Sequence, residues 1–382
     1  MRVLFFGTYD TETTPRVQVL IEGLRANGIT VVECNVPLKV STAERVAMLK
    51  QPWRLPLLGW RIVSCWWRLV RKARALPNVD AVIIGHLGQF DIHLAKYVFR
   101  GTPLILDCMV TMSGAAIDRR LQGRGGLKMR LVRWLDSAAF KIADLVIVDT
   151  QEHQQTLPSA VRPQSVVVLV GAPDSWFAAS TSAHQPIDRK DARQPLKVLF
   201  FGNYIPLQGV PVIGRAIARL QVPMEIIMVG SGQERVETER LVAAGKTASV
   251  TWLSWVAGDE LPALVAAQDV CLGIFGTTAK ARRVVPNKVY QGAAAGCAII
   301  TSDTEPQRRT LGTAALFVPP GDDAALAAVL ERLARDRSEL RRMQHVAHDL
   351  AQKTFTPEIV VLPLLEKLTS EILPGSGTKQ RR

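Results

Sequence analysis

One five-residue phrase occurs twice in the chain and constrains the fold more than any other feature. Residues 3–7 and residues 198–202 both read Val-Leu-Phe-Phe-Gly. Each copy is a short apolar run that ends in glycine and precedes a polar loop and a helical pattern. This order is typical of a buried parallel strand that enters a tight turn before a helix. The repeat therefore predicts two α/β domains, with a ligand cleft at the carboxyl ends of their strands.

The net charge narrows the classes of partner. The 382 residues carry a formal charge of +13, which favours nucleic acid, a phosphorylated ligand or an anionic membrane as partner. The sequence contains no recognisable nucleic-acid-binding module, so we expect no nucleic-acid partner. The five cysteines form no CxxC pair, which predicts reduced thiols in a cytoplasmic protein. The first apolar run is too short for a secretory signal, which agrees with a cytoplasmic location.

Strand-like and helix-like segments alternate through both halves, which is typical of parallel βαβ units. The pattern predicts an N-terminal, acceptor-side domain at 1–177 and a C-terminal, donor domain at 196–356. The stretch 178–195 is rich in Ser, Ala, Gln, Asp and Pro, and we interpret it as a linker. A last helix at 357–373 is expected to pack back on the first domain, and the basic tail 374–382 is expected to be disordered.

Motifs in the second half resemble the donor domain of retaining glycosyltransferases of family 4. The matching blocks are 201–209, 229–234, 252–256, 285–300 and 318–322. The resemblance implies the GT-B fold, in which two Rossmann-like α/β domains with parallel sheets face a central cleft. It also implies a retaining transfer of sugar from a nucleotide-diphosphate donor, with no metal and no other cofactor.

The resemblance assigns donor binding to nine residues within these blocks. They are Gly202, Asn203, Gln208, Gly209, Gly230, Val256, Pro286, Asn287 and Gln291. A helix that begins at Pro286 would turn free N–H groups and the positive end of its dipole toward a diphosphate. Lys280, Arg283 and Lys288 surround that terminus and are the predicted catalytic cations, because they would stabilise charge on the departing diphosphate.

Three positions depart from the family pattern and leave alternatives open. Gln208 stands where a lysine is usual, and Arg283 and Gln291 stand where many members carry glutamates. A catalytically degenerate GT-B protein that binds nucleotide and scaffolds a complex is one alternative, and a nucleotide-sugar epimerase is another. The sequence has no D-x-D motif, so it gives no support to metal-dependent diphosphate binding.

The first half resembles the same family more loosely and supplies the predicted acceptor-binding residues. They follow strand-like segments and are Gly7, Thr8, Arg16, His86, Gln89 and Asp107. Polar side chains at the carboxyl ends of strands suit the hydroxyl groups of a glycan or lipid-linked acceptor. For Asp107 a capping or turn role is an equal alternative.

The segment 53–74 stands apart because tryptophan recurs in it every seven residues, each time followed by arginine. Pro56 and Gly59 would limit the helix to about 59–75. At about 100° per residue, its basic side chains fall on one stripe. They are Arg54, Arg61, Arg68 and Lys72, and the tryptophans are Trp53, Trp60 and Trp67. Such a helix suits binding to an anionic membrane surface, and we expect that surface to be the inner face of the plasma membrane. The basic run 119–133 is a second part of the protein that could face lipid. A helix packed on its own domain, with arginines in water, is the alternative.

Overall fold

The computed structural model describes residues 1–9, 14–38, 55–85, 88–109, 111–114, 126–183 and 194–373. Each half of the described chain contains a six-stranded sheet whose paired strands run parallel. The α/β architecture with two parallel sheets is therefore confirmed. The continuous apolar runs explain it, because strands buried on both faces need apolar side chains at every position.

The first sheet has the strand order β2-β1-β3-β4-β5-β6. Its strands are β1 (Arg2–Gly7), β2 (Thr30–Asn35), β3 (Ala81–Ile84), β4 (Leu104–Asp107), β5 (Leu145–Val148) and β6 (Ser165–Val167). The strand β2 lies on one side of β1, and all later strands are added on the other side, beginning with β3. This switch point between β1 and β3 opens a crevice at the carboxyl ends of the two strands. The first copy of the repeated phrase lies on β1.

The second sheet has the strand order β12-β11-β10-β7-β8-β9. Its strands are β7 (Leu196–Phe201), β8 (Met224–Val229), β9 (Ser249–Leu253), β10 (Val270–Leu272), β11 (Ala298–Ser302) and β12 (Ala315–Val318). Its switch point lies between β7 and β10, and the second copy of the phrase lies on β7. Both copies therefore occupy the strand at which the order of their sheet reverses.

Helices cover both faces of the first sheet. They are α1 (Pro15–Ala26), α2 (Leu55–Ala73), α3 (Asp91–Val98), α4 (Leu127–Ile142) and α5 (Gln151–Thr156). One face packs α2, α3 and α4 into a core with Leu4, Phe6 and Val82. The other face packs α1. The predicted start of α2 near residue 59 is wrong by one turn, because Pro56 falls in the first turn, where proline is tolerated. Trp53 and Arg54 lie outside the described residues.

The helix α6 (Asp174–Ala183) extends into 178–183 of the stretch predicted as a linker, and the role of that stretch as the domain connection stays a prediction. The helix holds Trp176, which is buried and stacks on Phe201 of the second domain at a centroid distance of 5.7 Å. This apolar contact anchors α6 on the second domain. Residues 184–193 and the predicted tail 374–382 lie outside the described residues.

Helices also cover both faces of the second sheet. They are α7 (Val210–Arg219), α8 (Arg235–Val242), α9 (Leu261–Ala266), α10 (Asn287–Ala294), α11 (Glu305–Leu311), α12 (Asp323–Arg335) and α13 (Arg337–Thr354). The chain then forms α14 (Pro357–Val360), α15 (Leu362–Lys367) and a π-helical turn, Leu368–Ile372, in place of the single predicted helix. Val361, Leu364 and Leu368 pack in the core of the first domain beside α1, so the described chain returns to the domain with which it begins.

Candidate functional site

Glycines bring two loops of the second domain into close contact at the carboxyl edge of the sheet. Gly202 follows β7 with φ of 144°, and Gly230 follows β8 with φ of 128°. A Cβ atom on Gly230 would lie 1.9 Å from the carbonyl oxygen of Gly202, a distance that no real side chain tolerates. The backbones therefore meet directly, and they leave main-chain groups rather than side chains at the edge of the crevice.

A third glycine fixes the loop that contains Gln208. Gly209 adopts φ of +65° and precedes the first turn of α7. A Cβ atom there would lie 2.4 Å from the amide nitrogen of Gly276, just past β10. The amide of Phe275 also donates to the carbonyl of Gln208 at 2.9 Å. The loops that follow the two switch-point strands are thus joined, and Gln208 lies between them.

Lys288 of α10 lies at the centre of these loops. Its Nζ donates to Oε1 of Gln208 at 2.5 Å and lies 3.7 Å from the ring centroid of Phe200. A Cβ atom on Gly202 would lie 2.9 Å from the same Nζ. The structure therefore brings together three residues that the sequence placed at the donor site, although about 80 positions separate two of them from the third.

The environment of Lys288 prepares it for an anion. The side chain is buried, and burial lowers the pKa of its ammonium group from the ordinary 10.5 to about 7. The main cause is loss of hydration, which disfavours the charged form. A phosphate oxygen close to Nζ would reverse this effect, because an adjacent negative charge favours the protonated amine. The site can thus exchange a neutral partner, Gln208, for a charged one.

The other two predicted cations lie on the turn that leads into α10. Ala281–Arg283 forms a short 3₁₀ turn with the half-buried Lys280 before it. The exposed Arg282 and Arg283 line a cavity of about 450 Å³ with Thr277 and Ala279. Lys288 instead points its ammonium group at Gln208 and the ring of Phe200. Two of the three predicted catalytic cations therefore lie on the turn before α10, and the third lies in the first turn of that helix.

The N-terminus of α10 differs by one residue from the prediction. Pro286 is the N-cap, with ψ of 148°, and Asn287 is the first helical residue. The first-turn N–H groups and the positive end of the dipole begin with Asn287 and Lys288. Gln291, one turn later, is buried, whereas Asn203 on the loop after β7 is exposed. Val256 is half-buried and packs against the apolar cluster that includes Phe201 and Val229.

The first-domain crevice is organised by Asp91, which was not among the predicted acceptor-binding residues. Its Oδ2 accepts from the backbone amide of Thr8 at 2.6 Å and from the hydroxyl of Thr8 at 2.8 Å. Its Oδ1 accepts from Nε1 of Trp66 at 2.8 Å. A Cβ atom on Gly7 would lie 2.9 Å from Oδ2. The available signal was an acidic residue in the first turn of a helix that follows a switch-point strand.

Arg16 and Asp107 lie beneath this crevice rather than on its surface. Nε of Arg16 lies 3.3 Å from Oδ1 of Asp107, and both side chains are completely buried. Nη1 of Arg16 also donates to the carbonyls of Val168 and Leu169. Burial raises the pKa of Asp107, although Arg16 opposes the shift. Both side chains are therefore enclosed by the first domain, and their role toward an acceptor stays a prediction.

The remaining acceptor-side predictions have mixed outcomes. Gln89 is buried, and its Nε2 lies 3.9 Å from Sγ of Cys108 as a donor. His86 lies outside the described residues. Gly7 is the last residue of β1, and Thr8 follows it at the switch point. Their role toward an acceptor stays a prediction, as do the roles of the donor-side residues.

The two domains also contact each other near the carboxyl end of β5. The hydroxyl of Thr150 donates to the carbonyl of Arg283 at 2.7 Å. The guanidinium of Arg309 donates to both carboxylate oxygens of Glu152, at 2.8 and 3.1 Å. A cavity of about 380 Å³ lies beside these contacts, lined by residues of both domains that include Asp149, Leu169 and Phe355. The basic turn before α10 is thereby held against the first domain.

Two absences bear on metal ions and on membranes. Across the described ranges, histidine, cysteine, aspartate and glutamate nowhere gather in threes in a way that could hold a metal ion. The expectation of no metal and no cofactor stays a prediction. Of the helices within the described part of the chain, none is long and apolar enough to cross a bilayer.

A family model described as "Glycosyl transferases group 1" matches residues 195–336, which form most of the second domain. The resemblance carried by the sequence motifs is thus confirmed at the level of this group, and membership of family 4 stays a prediction. The sequence matches none of the curated proteins with which it was compared.

Solved structures match almost the whole chain. Sucrose-phosphate synthase from Thermosynechococcus elongatus is 16% identical with a TM-score of 0.68, and the match covers 98% of this chain and 99% of that one. Anabaena HepE in complex with UDP and glucose is 16% identical with a TM-score of 0.65, covering 97% and 100%. An E. coli trehalose-6-phosphate protein bound with UDP-2-fluoro glucose is 14% identical with a TM-score of 0.62, covering 96% and 99%. The chain therefore has the GT-B fold.

Proposed function

We propose that this protein is a retaining, metal-independent glycosyltransferase that moves a sugar from a nucleotide-diphosphate donor to a glycan or lipid-linked acceptor. The observation that carries the proposal is the meeting of Lys288, Gln208 and Gly202 at the switch point of the second sheet. This crevice belongs to the domain that matches the group 1 glycosyl transferase model. The complexes of HepE with UDP-glucose and with UDP support a nucleotide-sugar donor, and uridine nucleotides are the first to test.

The chemistry follows from where charge develops. As the bond between the anomeric carbon and the phosphate oxygen breaks, negative charge grows on the departing diphosphate. Lys288, protonated beside that anion, donates to it in place of Gln208, and the N-terminus of α10 adds partial positive charge. Gly202, Gly209 and Gly230 let the main chain approach the phosphates. Lys280 and Arg283 add further positive charge from the preceding turn.

We propose that the same arrangement allows a retaining transfer without a metal ion. The departing phosphate oxygen takes the proton of the acceptor hydroxyl, which attacks on the face that the diphosphate leaves. The sugar thus keeps its anomeric configuration without a dedicated protein base. Because the sequence has no D-x-D carboxylate pair, lysine and arginine side chains carry the role that a divalent ion would have at the diphosphate.

The acceptor side is the crevice after β1 and β3. Thr8 lies there with its amide and hydroxyl anchored on Asp91, next to Gly7. Such a loop can offer main-chain groups to sugar hydroxyls. We place the reaction in the cytoplasm, in glycan or polysaccharide biosynthesis, with a lipid-linked acceptor at the inner face of the plasma membrane as the finer form of the proposal.

Release of nucleoside diphosphate tests the proposal. Purified protein is incubated with a panel of nucleotide sugars, with and without glycan and lipid-linked acceptors, and again after treatment with EDTA. We expect release that depends on one donor and one acceptor and persists in EDTA, with NMR showing an unchanged anomeric configuration. Lys353→Ala, a lysine on α13, is the matched control for Lys288→Ala.

Two other outcomes would overturn the proposal. Inverted product or complete loss of activity in EDTA would remove the retaining or the metal-independent part. Tight nucleotide binding without turnover on any donor would favour a nucleotide-binding scaffold, the candidate that Arg283 and Gln291 support as two of the three departures from the family pattern.

A further inference from the structure

The outer sides of α2, α3 and α4 expose large apolar side chains to solvent. Trp60, Trp67 and Trp134 are 71%, 60% and 63% exposed. We call the full set the aromatic face. It comprises Leu57, Trp60, Val63, Trp67, Tyr97, Leu131 and Trp134. Because α3 packs between α2 and α4 on one face of the sheet, these side chains belong to one layer of helices. Exposed apolar surface of this extent marks an interaction site.

Packing within the domain does not account for this surface. At 100° per residue, Trp60, Val63 and Trp67 fall within about 60° of each other on α2. Leu69 and Ala73 lie on the opposite side of the helix, and both are buried in the core. The helix therefore has one apolar side for its own domain and a second, aromatic side that its domain does not use.

The first half of α2 also extends past the edge of the sheet. Trp66 donates to Asp91, and Asp91 lies at the carboxyl ends of β1 and β3, so Trp66 lies level with that edge. Seven residues connect the end of α2 at Ala73 to the start of β3 at Ala81. The ten residues 55–64, which we call the overhang, precede this level and form about 15 Å of helix at 1.5 Å per residue. Leu57, Trp60 and Val63 lie on the overhang.

The charges around the aromatic face have one sign. Its three helices contain two acidic residues, Asp91 and Asp136, and both are buried and accept backbone N–H groups. The exposed ionised side chains on the same helices are basic. They are Arg61, Arg68, Arg71, Lys72, Lys96, Arg130, Arg133 and Lys141. A second copy of this chain would bring like charges together across a two-fold axis, whereas an anionic lipid surface complements them.

We propose that the aromatic face docks the first domain on a membrane that contains anionic lipid. The tryptophans lie at the level of the headgroups, the basic side chains contact lipid phosphates, and the overhang of α2 brings the mouth of the first-domain crevice to the lipid surface. Docking goes beyond the proposed function, since it holds whether or not the protein transfers sugar. Trp66 takes no part, because its indole is committed to Asp91.

Flotation with lipid vesicles tests this proposal on the full-length protein. Vesicles of phosphatidylcholine alone are compared with vesicles in which about a third of the lipid is phosphatidylglycerol. We expect at least tenfold stronger partitioning to the anionic vesicles, weakened by salt. Replacing Trp60, Trp67 and Trp134 together by serine should lower partitioning at least tenfold. The matched control is Trp255→Ser, a tryptophan that is 74% exposed on the second domain, and it should partition like the parent protein.

Further measurements separate docking from its alternatives. Brominated lipids should quench the fluorescence of the parent protein and not that of the triple variant, whose unfolding temperature should match the parent's. Equal vesicle binding by the triple variant would reduce the surface to non-specific charge attraction and overturn the proposal. So would a tryptophan-dependent dimer in analytical ultracentrifugation without vesicle binding, or tryptophan-dependent binding to RNA that outcompetes vesicles.

Discussion

In both domains the strand at the switch point has a glycine at its carboxyl end. The charged group next to that glycine is a carboxylate in the first domain and an ammonium group in the second. In the first domain, a Cβ atom on Gly7 would lie 2.9 Å from a carboxylate oxygen of Asp91. In the second, a Cβ atom on Gly202 would lie 2.9 Å from the ammonium nitrogen of Lys288. The same backbone geometry therefore places a carboxylate behind one crevice and an ammonium group behind the other.

The two charged groups also differ in how well they are satisfied. Asp91 accepts from two groups of Thr8 and from the indole of Trp66, so its charge is compensated within the protein. Lys288 faces a neutral amide oxygen and an aromatic ring, and its pKa falls to about 7. The carboxylate thus maintains the loop, whereas the ammonium group gains most when an anion arrives.

The largest expected effect comes from a change at Lys288 in the second-domain crevice. Lys288→Met should lower turnover by about 10² to 10³, because it removes a preorganised donor from the charge that develops on the diphosphate. The free energy of unfolding should stay level or rise, since a buried amine is replaced by an apolar chain. Initial rates and urea unfolding curves measure the two quantities. Equal turnover in Lys288→Met and the parent protein would contradict the assignment of Lys288.

Arg283→Ala tests whether the basic turn before α10 contributes to turnover through the side chain of Arg283. We expect turnover to fall by about tenfold with little change in stability, because the side chain is exposed and its backbone carbonyl still accepts from Thr150. Its neighbour Arg282→Ala is the matched control on the same turn. An equal loss in both variants would indicate general electrostatics rather than a specific contact by Arg283.

One added methyl group should force apart the two second-domain loops that meet at Gly202 and Gly230. Gly230→Ala should destabilise the protein by about 2–4 kcal/mol, because its Cβ would overlap the carbonyl of Gly202. Gly28→Ala is the control, since Gly28 also has positive φ but a Cβ atom there would meet no other atom within 4 Å. It should cost about 1 kcal/mol. Similar losses in both, measured by urea unfolding, would assign the effect to φ alone.

The sequence predicts the structure that depends on neighbouring residues, and it does not predict contacts between residues that lie far apart in the chain. The strands were predictable because continuous apolar runs such as residues 3–6 leave little choice, and the second-domain loops followed from motifs. The contacts that distinguish the two crevices join residues about 80 positions apart, Thr8 with Asp91 and Gln208 with Lys288. Periodicity on α2 likewise could not separate Trp66, which is committed to Asp91, from the exposed Trp67, because both lie in one apolar segment.

Asp91→Ala tests the other side of the comparison. It leaves the amide and hydroxyl of Thr8 and the indole of Trp66 without their acceptor, so we expect a loss of about 2–3 kcal/mol in stability. Asp91→Asn, which keeps an acceptor oxygen, should recover part of that loss. Nucleotide affinity, measured by calorimetry, should stay unchanged in both. A large drop in nucleotide affinity would contradict the separation of the two crevices.

The lowered pKa of Lys288 predicts how nucleotide binding depends on pH. A bound diphosphate raises the pKa, so affinity should fall by up to about tenfold per pH unit as pH rises above about 7. Between pH 7 and 10.5 the unfolded chain binds more protons at this lysine, so its contribution to stability should increase with pH. Calorimetry in buffers of different ionisation enthalpy measures the proton uptake. Lys288→Arg, whose charge does not titrate, should remove this pH dependence, and its persistence would assign the effect to another group.

The smallest expected effect concerns an ion pair across the domain boundary. Glu152 and Arg309 form a two-fold hydrogen-bonded ion pair across the domain boundary, but Arg309 is 38% exposed. Solvent screens such pairs, so a double-mutant cycle of Glu152→Gln and Arg309→Gln should give a coupling of no more than about 1 kcal/mol. The cycle is read from urea unfolding and from the KM of the acceptor. A coupling of several kcal/mol would mean that this pair, and not the apolar contact of Trp176 with Phe201, sets the relation between the domains.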